Sequence, residues 1–241
     1  MSATLPVGNR LTFLGHSTFH LVTSEGQRIL MDPWVINNPR TPADKKDVGP
    51  LETILISHGH GDHIGDAVEI GKATGAQIVS NYETGHWLGK KGITNSVPMN
   101  KGGTVALGGV KVTMVHADHS CGILDGDEMV YGGEASGYIV ELENGFRIYH
   151  AGDTAVFGDL RLIGEIYKPD IALLPIGDRF VMSPTEAAYA TRLLGVTEVI
   201  PIHFGTFPLL TGTPEALRSE LDRLEVKADV TVLEPGETLG E

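Results

Sequence analysis

The stretch Ser57-His58-Gly59-His60-Gly61-Asp62-His63 constrains this chain more than any other. It places three histidines and one aspartate within six consecutive positions. Ahead of it, Thr53-Ile54-Leu55-Ile56 is apolar and β-branched, the pattern of a buried strand. Behind it, the spacing predicts a helix from Asp66 to Thr74. The cluster therefore sits in a strand-to-helix loop, where a rigid scaffold can hold a functional turn. In an extended segment His58 and His60 point the same way, because side chains repeat every two residues. Gly59 and Gly61 remove side chains that would crowd a ligand, and they permit positive φ. The chain can then curl so that Asp62 and His63 approach the same centre from another side. Imidazole and carboxylate together suit zinc, manganese or iron.

Composition narrows the setting. A chain of 241 residues, 41% hydrophobic, can bury a substantial core, as one large domain or two small ones. Lysine and arginine total 18 against 31 acidic residues, a net charge of −13. Long nucleic acids and anionic membranes bind through Lys and Arg, so neither is an expected partner. A small-molecule substrate is expected, and a homo-oligomer is compatible. The lone cysteine, Cys121, allows no intrachain disulfide and fits a reducing compartment. Met1 to Arg10 lacks a signal-peptide pattern, and no apolar run approaches a membrane span. A cytoplasmic protein is the expectation.

Along the chain, strands are predicted over Arg10 to Thr23 and Arg28 to Asp32, forming a hairpin. The loop Val35 to Pro50, with three prolines, is long for a connection and is expected to be a functional flap. Further elements are a strand at Ala76 to Ser80, a helix at Tyr82 to Lys90, and a hairpin over Thr104 to Val115. A glycine-rich loop, Ser120 to Ser136, precedes a hairpin of Gly137 to Leu142 and Phe146 to His150. The second half alternates: helix Asp159 to Tyr167, strand Ile171 to Pro175, a helix from Ser183 to Leu194, strand Glu198 to His203, helix Pro214 to Leu224, strand Asp229 to Leu233. Ser183-Pro184-Thr185-Glu186 is a strong helix start, with Ser at the N-cap, Pro first and Glu third. Two mixed sheets with helices outside would bury such strands.

The ligand cluster resembles a known motif. H-x-H-x-D-H, here His58, His60, Asp62 and His63, is similar to the metal-binding signature of the metallo-β-lactamase superfamily. That resemblance implies an α/β fold, a four-layer αββα sandwich of two mixed sheets flanked by helices, as a single domain over residues 1–241. It also implies three further ligands, each found at the end of a predicted strand. Ala151-Gly152-Asp153-Thr154 resembles the superfamily's bridging-aspartate motif, and Pro201-Ile202-His203 resembles its final-histidine strand. The middle histidine is His119 or His116. His119, followed by Ser120, resembles the family pattern more closely. Carried over, His58, His60 and His119 hold one metal, Asp62, His63 and His203 a second, and Asp153 bridges them. The cofactor expected is two divalent metal ions, zinc first, with manganese or iron(II) as alternatives.

The remaining candidates are weaker. Asp62 is also a catalytic candidate, for orienting the nucleophile or moving a proton. His16, in Gly15-His16-Ser17, resembles a feature near the site mouth in one branch of the superfamily and is the second catalytic candidate. His150 and Asp32 are candidates for orienting ligands, and Arg179 for gripping an anionic substrate. His20 and His86 read as structural. Leu174-Pro175-Ile176-Gly177-Asp178 with Phe180, Met182 and Pro184, and the later Thr206-Phe207-Pro208, resemble a subgroup of small metal-dependent hydrolases. That subgroup is similar to the ascorbate-6-phosphate lactonase branch.

The resemblance implies a dinuclear hydrolase whose metal-bridging hydroxide attacks an ester or lactone of a small metabolite, phosphorylated ones included. Substrate is expected to enter over Gly15 to Thr18, Val35 to Pro50 and Ser120 to Ser136. A metal-dependent phosphodiesterase is the alternative. A metal-binding module without turnover and a di-iron oxidoreductase are readings from other classes.

Overall fold

The computed structural model describes residues 4–241, so the first three positions of the Met1–Arg10 stretch lie outside the described residues. The N-terminal half contains β1 (Arg10–Gly15), β2 (Thr18–Val22), β3 (Arg28–Met31), β4 (Thr53–Leu55), α1 (Gly61–Ile64), α2 (Ala67–Thr74), β5 (Gln77–Asn81), α3 (Tyr82–Lys90) and β6 (Ser96–Met99). The middle contains β7 (Thr104–Leu107), β8 (Val110–His116), β9 (Gly122–Asp125), β10 (Glu128–Tyr131), β11 (Ser136–Glu141) and β12 (Arg147–His150). The rest is α4 (Leu160–Tyr167), β13 (Ile171–Pro175), α5 (Pro184–Leu194), β14 (Glu198–Ile202), α6 (Pro214–Arg223), β15 (Asp229–Val230) and β16 (Thr238–Gly240).

The strands form two seven-stranded mixed sheets, ordered β16-β1-β2-β3-β4-β5-β6 and β15-β14-β13-β12-β11-β8-β7. The period of two along each strand builds the layers. In the first sheet Ile29, Met31, Leu55 and Val79 enter a core between the sheets. Their neighbours Leu30, Ile54 and Ile78 turn outward onto Ile70 of α2 and Leu88 of α3. In the second sheet Ile171, Leu173, Ile200 and Ile202 face inward. Ala172, Leu174 and Val199 face α4, α5 and α6. Both faces of these strands are covered, which is why Ile171–Pro175 is buried throughout. The result is the αββα sandwich.

Strand direction positions the site. β1 and β3 are each antiparallel to β2, and β4 and β5 continue parallel to β3. β8 and β12 are each antiparallel to β11, and β13 and β14 continue parallel to β12. The segments after β1, β3, β4, β8, β12 and β14 thus leave the carboxyl ends of like-directed strands. They carry His16, Asp32, the 58–63 cluster, His119, Asp153 and His203. Open α/β sheets hold ligands beyond such ends.

Several expectations change. Neither Gly59 nor Gly61 has positive φ. A Cβ on Gly59 would lie 2.5 Å from Ile123 Cγ1, so Gly59 serves packing beneath β9, while Gly61 begins α1. The Val35–Pro50 segment is pinned rather than free: Asp66 accepts hydrogen bonds from the Val35 and Ile36 amides at 2.6 and 2.7 Å. Asn38 and Thr41 of the same segment donate to the Gly15 and Leu14 carbonyls. The Ser120–Ser136 loop contains the β9–β10 hairpin. β6 and β16, both at sheet edges, were not expected. β6 carries Pro98, which suits an edge strand, and β16 is three residues long. The predicted Ser183 start is present as a full capping box on α5.

Candidate metal centre

Two groups of side chains converge beyond the strand ends. His58, His60, His119 and Asp153 offer ligand atoms all within 4.8 Å of one another, and so do His16, Asp62, His63 and His203. The Asp153 carboxylate lies between the groups. Its Oδ2 is 3.8 Å from His58 Nε2, 3.7 Å from His119 Nε2 and 3.1 Å from His203 Nε2. Its Oδ1 is 3.2 Å from His63 Nε2, yet both of these buried atoms lack a hydrogen-bond partner. Buried polar atoms are normally paired. Lone pairs that converge without bonding one another are the arrangement a cation satisfies, and the donor set of imidazole and carboxylate fits one.

Hydrogen-bond partners fix which nitrogen of each ring faces the centre. Asp32, buried after β3, can only accept. It takes His63 Nδ1–H at 2.7 Å, the Ser57 amide at 2.8 Å and the Ser57 hydroxyl at 2.8 Å. His63 Nε2 is thereby turned to Asp153. Ser57 has given its one proton to Asp32, so its Oγ accepts from His58 Nδ1 at 3.0 Å, leaving His58 Nε2 as the free nitrogen. His60 Nδ1 faces His58 Nε2 at 3.0 Å and His119 Nε2 at 3.3 Å, while its Nε2 meets Ser120 Oγ at 3.2 Å. His16 differs. Its Nε2–H donates to Asp62 Oδ2 at 3.0 Å and its Nδ1 accepts from the Thr206 hydroxyl at 2.9 Å, which leaves no lone pair for a cation.

Residues 27–204 match the family described as Beta-lactamase superfamily domain. The chain belongs to the metallo-β-lactamase superfamily. A UPF0173 metal-dependent hydrolase of Rubrobacter xylanophilus is 55% identical over 97% of both chains. One from Koribacter versatilis is 53% identical over 96% of this chain and 97% of that protein. The structure of Igni18, a metallo hydrolase from Ignicoccus hospitalis, superposes with a TM-score of 0.83 at 36% identity, covering 96% of this chain and 97% of that one. This protein is a metal-dependent hydrolase of the superfamily.

The electrostatics divide the two groups. Burial lowers the pKa of His58, His60 and His119, so these rings are neutral. In His63 and His203 burial also opposes charge, but the attraction of Asp153 outweighs it. His63 is raised well above its usual value and His203 to about 9. Burial works against the Asp32 carboxylate, yet His63 and its neighbours hold it down to about 2. Hydrogen bonds from His16 and His203 hold Asp62 well below the carboxylate range despite burial. Burial lowers His16 to about 4, so it is neutral and a donor to Asp62 through one nitrogen only.

The superfamily comparison between His116 and His119 is decided by placement. His119 joins the cluster, whereas His116 is exposed and 3.0 Å from Lys101 Nζ. His150 is a tie between sheets: the Gly152 amide donates to its Nδ1 at 3.1 Å and its Nε2–H donates to the Ser17 carbonyl at 2.8 Å. His16 is not at the mouth; its side chain is 0% exposed and lies beneath Asp62, which is 29% exposed. A cleft of ≈ 320 Å³ opens over the centre, with His60, Asp62, His119, Asp153 and His203 as its floor and Ser120, Phe180, Phe207 and Leu210 as its walls. Of the three loops expected to admit substrate, only Ser120–Ser136 reaches it. Ser57 and Thr206 are the orienting groups that sequence reasoning missed. Thr206 stood in an unassigned motif three residues after His203, and Ser57 stood beside His58.

Proposed function

We propose that this protein is a dinuclear metal-dependent hydrolase acting on an ester or lactone of a small molecule. The observation that carries this is the Asp153 carboxylate, whose two oxygens serve both ligand groups at 3.1–3.8 Å. One cation would be held by His58, His60 and His119, the other by Asp62, His63 and His203, with Asp153 shared. When bound, such a pair supplies hydroxide near neutral pH and polarises the attacked oxygen, chemistry open to zinc, manganese or iron(II).

The chain's own residues supply orientation and proton handling. Asp62 lines the cleft and is partly exposed, so it reaches the substrate and can orient water or accept its proton. His16 touches no substrate. It is a positioning residue that holds Asp62 Oδ2, and the Thr206 hydroxyl holds His16 in the required tautomer. The cleft volume suits a small molecule rather than a polymer strand.

The test is turnover by metal-reconstituted protein of a sugar lactone and an activated phosphodiester, with Asp153→Ala as control. Lactone hydrolysis that disappears in the variant is expected. Phosphodiester turnover alone would replace the reading with a phosphodiesterase, and no turnover of either by fully metallated protein would sink it.

A further inference from the structure

We propose that the substrate of this centre is uncharged away from its scissile bond and carries an apolar chain, seated between Phe180 and Phe207. The proposal rests on the hydrolase reading for what happens at the metals, but the walls can be tested by binding alone.

Both aromatic residues come from the two sequence motifs that the metal chemistry leaves unassigned. Phe180 follows β13 and Phe207 follows β14, and with Leu210 they wall the cleft above the ligand side chains. Phe180 is 53% and Phe207 40% exposed, although large aromatic side chains are usually well covered. Exposed apolar surface concentrated around a cleft marks a binding surface.

The ring of one and the backbone of the other are held in place. Phe207 stacks on Trp34 with ring centres 6.0 Å apart and meets the edge of His16 at 5.8 Å. Phe180 follows two consecutive non-glycine residues at positive φ, Asp178 at 66° and Arg179 at 55°. Such strain persists where surrounding structure over-determines it and gathers at functional sites. Here the Asp178 amide donates to the Met182 carbonyl at 3.0 Å, and the Met182 amide donates to the Thr154 carbonyl at 3.1 Å. The turn is thus tied to the Asp153 loop.

Charge points the same way. Among the described residues, none that lines the cleft is lysine or arginine. The whole chain carries −13. A phosphate on the substrate's far end would find no cation there. Arg179, the candidate for gripping an anion, is exposed and is not among the lining residues; its guanidinium lies over the Phe180 ring, 5.5 Å from the centre.

The experiment uses zinc-reconstituted wild type, Phe180→Ala, Phe207→Leu and Arg179→Gln, each checked for unchanged zinc content and melting temperature. Straight-chain carboxylates from butanoate to decanoate are titrated calorimetrically as product mimics. Affinity should rise about three- to fourfold per methylene over the first added carbons, and Phe180→Ala and Phe207→Leu should flatten that slope. Alkyl-substituted lactones should show lower KM than unsubstituted or phosphorylated ones. Affinity independent of chain length in the wild type overturns the proposal. So does a preference for the phosphorylated lactone that Arg179→Gln abolishes. A steep chain-length dependence without lactone turnover upholds the apolar walls and removes the hydrolytic reading instead.

Discussion

Asp32 shows how much of this centre depends on residues that touch no substrate. It sits at φ 48°, a left-handed backbone that aspartate and asparagine tolerate better than most. Asp32→Asn therefore keeps the backbone but removes the charge that orients His63 and Ser57. Zinc affinity, measured by competition with a chromogenic chelator, should fall about 10- to 100-fold; unchanged affinity would mean Asp32 only caps the strand. Thr206→Val should lower kcat about 10- to 100-fold by releasing the His16 tautomer, with Thr206→Ser restoring it. Nitrogen-15 shifts of His16 in the metal-free protein read the tautomer directly, and an unaltered tautomer in Thr206→Val would remove Thr206 from this role. At this scale the proposed ligands, which converge in the fold, were legible because they stand in a compact motif or at predicted strand ends. Thr206 and Ser57 were not. Hydroxyl residues are ordinary at strand ends, and their partners lie 190 and 25 positions away in sequence.

The elements are legible wherever a start or stop signal accompanies the hydrophobic period. Tyr82–Lys90 and Pro184–Leu194 have such signals, Asn81 and Ser183 capping them through side-chain oxygens. The edge strands lacked them, since Pro98 breaks the β pattern and the β16 strand is too short to show one. The flap expected at Val35–Pro50 failed for a similar reason: the Asp66 carboxylate that pins it reads in sequence as a helix-start residue. The Asp153 loop shows what close approach between elements demands. Gly152 has φ 61°, and a Cβ there would lie 2.7 Å from Ser57 Cβ and 2.9 Å from the Ser136 carbonyl. Gly152→Ala thus combines backbone strain with a clash between the bridging loop and the histidine loop. It should destabilise the protein by roughly 1–3 kcal/mol and weaken metal binding with it. Denaturant unfolding checks the first effect. A fully stable Gly152→Ala would show that the two loops can move apart.

For the whole molecule, the proposed metal pair would bridge two halves that already touch. His58, His60, Asp62 and His63 leave the first sheet, and His119, Asp153 and His203 leave the second. Tyr138 Oη donates to the Ile56 carbonyl at 2.8 Å, His150 Nε2 to the Ser17 carbonyl at 2.8 Å, and the Ser136 amide to the Ser57 carbonyl at 3.0 Å, all across the sheets. A ligand that binds only the folded state stabilises it by about 4 kcal/mol per site at a thousandfold excess over Kd. At roughly 2–4 °C per kcal/mol for a chain this size, each occupied site should raise Tm by about 8–16 °C over chelator-treated protein. The pH dependence has a definite sign. In the metal-free protein His63 is raised and His203 is raised to about 9. Their stabilisation is complete below the unfolded value of about 6.5 and is lost as pH rises toward 9. His16, His58, His60 and His119 are lowered, so their contribution changes below 6.5 and is constant above it. A metal in the proposed second site would displace the protons on His63 and His203, so its binding should strengthen over the same interval. The Tm gap between loaded and chelated protein should therefore widen from pH 6.5 to 9. A gap that narrows would mean that His63 and His203 give up no protons to the metals, and the second group would not be a cation site.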